Sequence, residues 1–543
     1  MAMSRKYIFV LILIIVLAVF FRFRQFTSIP AGLYQDEAMN GSDALTSLKS
    51  GDFSAQGGPA SGWKIFYQNN NGREGMMVWL DALAVKLFGT EPWVLRLFPA
   101  TAGVLAVLGL YFLALELFGA EIALISSFFM ATSFWAVNFS RTGFRAGLMP
   151  LFLIWSFYFL LRGFNIRMSD AHNNGHRTFV FMFVLAGILF GLGFYTYISF
   201  RFAPVLALLV FGPALLKKYN GRFNRQLLIG FLFFILTVFI IALPIGLYFL
   251  KNPTDFFGRA SGVSVFSSSS PLKAAAASVI KTVGMFNIAG DFNWRHNYAG
   301  SPELFFPVGL FFLLGIWLSI RRFEFKDKFL LLWLGVFLLP NVLTSEGNPH
   351  SLRALGAMPA AMIFAGIGLF WLYQKIQAYF DGKIKNPDFF KYKSQLLRLK
   401  KETFLLLMVF LVFIGAYNFN GYFNLWAFNP NVLSAFSRDQ VEIANYLNSL
   451  PEQTEKYAIW DASDRATDNG LPVSAQTVYF LTAKKIKVNY LKSDELDKIN
   501  PGANGLVIAP LYYNLDLLRD LNKRFPQSKI NFIYINTAVV SIQ

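Results

Sequence analysis

A chain of 543 residues that is 55% hydrophobic and only 15% charged is no ordinary soluble protein, in which about a quarter of the residues are charged. It has no cysteine, which excludes disulfides, thiolate catalysis and Cys-ligated metals. The net charge of +18 would suit a nucleic-acid partner, but the placement of the basic residues, taken up below, argues against one.

Apolar stretches suited to crossing a bilayer run over 7–26, 92–118, 120–138, 146–162, 178–198, 202–216, 226–250, 303–320, 329–343, 354–374 and 403–421. That predicts about eleven transmembrane helices, since a span needs roughly 20 residues. The first has the basic start and apolar run of a signal peptide. Arg22, Arg24 and Gln25 follow it instead of a small-residue cleavage site, so a retained anchor is expected. Basic clusters lie before span one (Arg5, Lys6) and after spans four (Arg162, Arg167, Arg177), six (Lys217, Lys218, Arg222, Arg225), eight (Arg321, Arg322, Lys326, Lys328) and ten (Lys375 through Lys401). All fall on one side of the eleven-span arrangement, which the positive-inside rule makes the cytoplasm, together with the N-terminus. The basic excess is therefore topological, and no nucleic-acid partner is expected.

Three segments are left outside: 27–91, 251–302 and 423–543. The first carries the adjacent acids Asp36 and Glu37 at the start of an amphipathic helix predicted over 36–48. Carboxylates so close to a bilayer are costly to desolvate. Asp36 either caps this helix or serves as a general base that takes a proton from an attacking hydroxyl. Glu37 would orient the acceptor or help hold a cation. Further on, Arg73 and Glu74 precede an apolar stretch, Met76–Phe88, and either open an interfacial helix or bind substrate.

Four outward arginines oppose the charge bias: Arg141 and Arg145 between spans three and four, Arg201 between five and six, and Arg353 between nine and ten. Single arginines snorkel to headgroups, but the guanidinium is also the natural partner of phosphate, and a phosphate-binding role is favoured. Tyr195, Tyr197 and Trp294 suit sugar stacking, a lipid groove or an interfacial aromatic belt. The second outer segment holds Ser267–Ser270, an apolar 274–285 stretch and the polar-aromatic run Asp291–Asn297. His172 and His176 have His-x-x-x-His spacing but lie in a predicted inner loop with no Glu between them, so zinc is not expected there. Segment 423–543 reads as a small α/β domain, with helices at 438–450 and 515–524 and strands at 457–460, 477–481, 505–509 and 531–535.

These motifs together resemble bacterial members of glycosyltransferase family 39. The match lies in Tyr34–Ala38, Asn70–Glu74, Arg141–Arg145, Tyr195–Tyr197 with Arg201, and His350–Arg353 with Pro359. That family includes the dolichyl-phosphate-mannose protein mannosyltransferases and is similar to the lipid A aminoarabinose transferases. The resemblance covers roughly residues 1–422. It implies the GT-C fold, an all-α polytopic membrane domain whose active site lies on the outer face under the first external loop. It also implies Asp36 as catalytic base with Glu37 beside it, and Arg141, Arg145, Arg201 and Arg353 on the donor phosphate. Arg73, Glu74, Tyr195, Tyr197 and His350 are expected as substrate-binding residues. No MIR-type domain is present, and 423–543 matches no named module, which leaves the acceptor open.

The expectation is an inverting transferase using a polyprenyl-phosphate sugar in the cell membrane, with no obligatory cofactor and no metal assigned, although the acid pair would suit a divalent cation. A lipid or glycan transporter is the principal alternative. The absence of an internal duplication argues against it.

Overall fold

The computed structural model describes residues 5–50, 53–54, 63–169, 175–216, 218–219, 222–223, 225–500 and 505–542. His172 and the side chain of His176 lie outside them. The chain divides into two compact units, residues 1–24, 100–140 and 145–425 in one and 25–99, 141–144 and 426–543 in the other.

The first unit is helical. Every expected span outside the second unit's residues meets a helix, but fewer meet a full span. Among the described residues, seven helices are long and apolar enough to cross a membrane, and eight if the bent pair Ala120–Thr132 and Phe134–Arg141 counts as one. The pair is bent by 55°. The shortfall from eleven lies in Gly175–Gly193, Phe306–Arg322 and Phe325–Val342. The last two meet across a turn studded with Arg321, Arg322, Lys326, Asp327 and Lys328, which shortens both apolar runs.

The bend has a cause and a remedy. Ending a helix at Thr132 frees its last carbonyls. The buried guanidinium of Arg22 donates to those of Met130 (3.3 Å) and Ala131 (3.1 Å), so backbone polarity is satisfied where no water reaches. Elsewhere small residues set the helix spacing. A Cβ at Gly315 would run into the Phe364 carbonyl, and one at Gly368 into the Phe311 carbonyl, so Phe306–Arg322 and Met358–Lys385 pack backbone against backbone.

The second unit joins the first outer segment to the C-terminal region. The expected boundary at 422 assigned 27–91 to the helical domain. Packing instead puts Leu33, Ala38, Leu45, Val85 and Leu95 into one core with Val441, Leu447, Val478, Phe480 and Val507. The pairing spans more than 340 residues of sequence, and no local pattern announces it. The helix Gln35–Ser50 lies against the helix Gln476–Thr482, where Gly41 admits the Phe480 ring and Thr477 Oγ1 donates to the Leu33 carbonyl at 3.1 Å.

Residues 477–481 were expected as a strand from their β-branched and aromatic content. They are helical because the tertiary site buries Thr477, Val478, Phe480 and Leu481 together, which no alternating strand does. A five-stranded sheet runs in the order Lys529–Tyr534, Thr537–Ile542, Leu506–Pro510, Glu455–Trp460, Asn489–Lys492. The last three are mutually parallel and the first two antiparallel to their neighbours.

Replacing Gly315 by Val should force its two helices apart and lower the thermal unfolding temperature in detergent by several degrees. Gly335→Ala, which has open space around it, should change little.

Candidate active site

Glu37 is fully enclosed, and Arg96 grips both its oxygens, Nε to Oε1 at 2.9 Å and Nη2 to Oε2 at 3.0 Å. Oε1 also accepts the Gly143 N–H and Oε2 the Tyr34 N–H at 3.1 Å. The Tyr34 bond is the reciprocal half of a capping box, since Glu37 is the third residue of a helix that Tyr34 precedes. Arg96 also donates to the carbonyls of Pro30 and Gly32, both at 2.7 Å. A carboxylate held by four donors orients backbone and leaves no face for an acceptor.

Asp36 is different. It lies in the first turn and not at the expected cap position, it is half-buried, and its partner among the described residues is Asn70, whose Nδ2 donates at 2.8 Å. Asn70 sits at positive φ in the turn between the paired strands Phe66–Tyr67 and Arg73–Glu74. The hairpin thus presents an amide to the acid predicted as base. Arg73 and Glu74 are both buried in this hairpin. Arg73 donates to Asn40 Oδ1 at 2.6 Å and pairs with Asp43, locking the hairpin to the acid helix. On the next helix, burial and the nearby Glu37 charge push the Asp81 carboxyl well above the usual range. Arg141 is fully buried and donates to the Ile29 carbonyl at 2.8 Å, which commits it to the backbone before Pro30.

In the helical unit, Arg145 lies over the Tyr197 ring at 5.6 Å, and the Tyr195 hydroxyl donates to the Ile241 carbonyl at 2.8 Å. Tyr197 precedes the 3-10 turn Ile198–Phe202 that carries Arg201. The Arg201 guanidinium lies 4.7 Å from the Phe249 ring centre and 4.2 Å from that of Phe256, and it donates to the Phe256 carbonyl at 2.8 Å. Both rings line an apolar groove of about 690 Å³, together with Phe194, Phe239, Leu243 and Leu247. Arg353 is half-buried and donates to the Glu346 carbonyl at 2.6 Å.

A further cluster went unassigned in the sequence beyond His350. Asp291 Oδ2 meets His296 Nδ1 at 2.8 Å and the Ser351 N–H at 2.9 Å, and His350 Nδ1 lies 3.8 Å from the same oxygen. Burial opposes ionisation of Asp291, but the His296 hydrogen bond and the two imidazoles outweigh it and hold its carboxyl below the usual value. Glu303 accepts the Ser351 hydroxyl at 2.5 Å and the Asp291 N–H at 3.1 Å, and burial pushes its carboxyl up to about 8. The 291–297 run was visible in the sequence, but its closure on 350 and 303 is tertiary.

Residues 75–248 match the family model of the dolichyl-phosphate-mannose-protein mannosyltransferases. This stretch contains Arg141, Arg145, Tyr195, Tyr197 and Arg201 but not the acid pair. ArnT from Cupriavidus metallidurans bound to undecaprenyl phosphate superposes over 98% of this chain and 97% of its own, with a TM-score of 0.60 at 14% identity. The chain has the GT-C fold. The oligosaccharyltransferase AglB from Archaeoglobus fulgidus, in complex with an inhibitory peptide and a dolichol-phosphate, shares the GT-C fold less closely, over 93% of this chain and 69% of its own, with a TM-score of 0.51 at 15% identity. No curated protein matches by sequence. With the apolar helices above, the GT-C fold makes this a multi-pass membrane protein.

Glu303 gives a pH test. Its folded-state value lies above the unfolded value near 4.5, so its contribution is fully present below about pH 4.5 and is lost as pH rises to about 8. Glu303→Gln keeps an acceptor and removes the titration. Its stability advantage over the parent should grow by about 1.4 kcal/mol per pH unit across that window and then level off, read from denaturation at a series of pH values.

Proposed function

We propose that this protein is an inverting glycosyltransferase that moves a monosaccharide from a polyprenyl-phosphate donor to a hydroxyl acceptor on the outer face of the membrane. The observation that carries the reading is Arg201 set against the aromatic wall of the apolar groove, a phosphate-binding group beside a channel lined by hydrocarbon. ArnT, of the same fold, binds a lipid of this composition. The isoprenoid chain occupies the groove, and Arg201, with Arg145 over Tyr197, holds the phosphate. Arg353 remains a third candidate. Arg141 is left out because its guanidinium is fully buried and donates to the Ile29 carbonyl.

Asp36 is the base. It takes the acceptor proton as the acceptor oxygen attacks the anomeric carbon, and the bond from that carbon to phosphate breaks in the same displacement. The arginines stabilise the charge that grows on the departing lipid phosphate. The donor is already activated, so no nucleotide is needed. Glu37 and Arg73 position the loop and its helix and do not touch the reacting atoms.

Turnover of a labelled polyprenyl-phosphate sugar by purified protein tests this. Asp36→Asn should lower turnover by about 10²-fold or more while donor binding survives. Arg201→Ala should weaken donor binding by roughly 10- to 150-fold, the worth of one charge-assisted bond, and Arg201→Lys should restore part of it. Movement of intact donor between leaflets without transfer would replace the reading with a transporter.

Orientation is checked separately on the naturally cysteine-free chain. Single cysteines at Ser269 and Ser463 should react with an impermeant reagent in intact cells, and one at Ser394 should not.

A further inference from the structure

The cluster at Asp291, His296 and His350 is built as a binding site and is not used by the proposed reaction. Its three side chains come from two loops, 285–305 and 343–354, and offer one carboxylate oxygen and two imidazole nitrogens within 4.8 Å of one another. Asp291 and His296 are buried and His350 is nearly so. Both imidazoles direct Nδ1 to one atom, Oδ2 of Asp291, at 2.8 and 3.8 Å. The first distance is a hydrogen bond and the second is too long for one. Ligands about 2.0–2.2 Å from a tetrahedral ion stand roughly 3.3–3.6 Å apart, and the two observed separations bracket that range. The ring centroids are 4.7 Å apart with the planes tilted by 43°, a close approach for two groups that repel when both are protonated.

The carboxylate is also held in place. Asp291 Oδ1 accepts the Asn293 N–H at 2.8 Å and Oδ2 the Ser351 N–H at 2.9 Å. Glu303 ties the two loops behind it, through the Ser351 hydroxyl and the Asp291 N–H. Outer-shell bonds of this kind fix the rotamer of a ligating carboxylate before an ion arrives.

We propose that Asp291, His296 and His350 bind one divalent transition-metal ion of the zinc type. Two nitrogens and one oxygen select zinc or a first-row neighbour over magnesium or calcium, which prefer all-oxygen shells. The ion takes the place of the hydrogen that His296 Nδ1 shares with Asp291, and the neutral imidazole then carries its N–H on Nε2. Three protein ligands leave a fourth position for water. The ion joins the two loops, so its first effect is on their stability. The inference does not rest on the proposed transfer reaction.

The test uses full-length protein carrying no polyhistidine tag, stripped with chelator, dialysed and titrated with Zn2+ alone. The expected result is one ion per chain with low-micromolar or tighter affinity, a raised unfolding temperature, and, with Co2+ in its place, the intense visible bands of a four-coordinate site. His296→Gln and His350→Gln, each first shown to be folded by size-exclusion chromatography, should weaken Zn2+ binding by at least 10²-fold. Equal affinity in both variants, or no retained Zn2+ in the parent protein, would overturn the proposal. Should neither variant fold, the parent decides alone: no four-coordinate Co2+ spectrum means a hydrogen-bonded triad only, and the proposal fails.

Discussion

The second unit depends on one buried ion pair. Glu37 and Arg96 are both removed from water, a loss of hydration that their attraction alone does not reliably repay. What makes the pair tolerable is that its remaining valences are filled by backbone: two N–H groups on the acid, two carbonyls on the base. The pair therefore works as a four-way clamp on the stretch from Pro30 to Tyr34 and on Gly143. Removing either partner would strand the other and cost about 3–5 kcal/mol. Asp36, next in sequence to the clamp, inherits its placement from it. Two adjacent carboxylates thus have separate duties, one sealed and structural, one half-open with a single amide neighbour.

The arginines repeat the lesson on a larger scale. The sequence shows that they stand where the charge bias says they should not, and it cannot distinguish them further. In the structure, Arg141 is spent on the Ile29 carbonyl, Arg73 on Asn40 and Asp43, Arg22 on carbonyls freed by a helix bend, and Arg201 on the rim of an apolar groove. Only the surroundings separate a guanidinium that holds backbone from one suited to phosphate, and the surroundings are assembled from distant segments.

What was legible follows from the range of the interactions involved. Apolar runs of span length and the amphipathic helices at 36–48, 438–450 and 515–524 are encoded locally and were readable from spacing. The helix at 476–482 was not, because its β-branched residues prefer a strand and a tertiary core overrides them. The joining of 25–99 to the region from 426 onward was not legible for the same reason. Asp291 and His296 stood in plain view, but without His350 beside them they were a polar loop. Strand 537–542 went unread because its residues alternate little; it is buried by neighbours the sequence does not name.

The core shared by 33–95 and 441–539 sets an order of events in biosynthesis. At ~5–20 residues per second, about 20–90 seconds pass between emergence of the acid helix and of the helix it packs on. Through that interval the apolar faces of Leu33, Ala38, Leu45 and Leu95 have no permanent cover. The acid loop is thus among the first parts of the chain to be made and among the last to acquire its shape, its core closing only once nearly the whole chain has been synthesised.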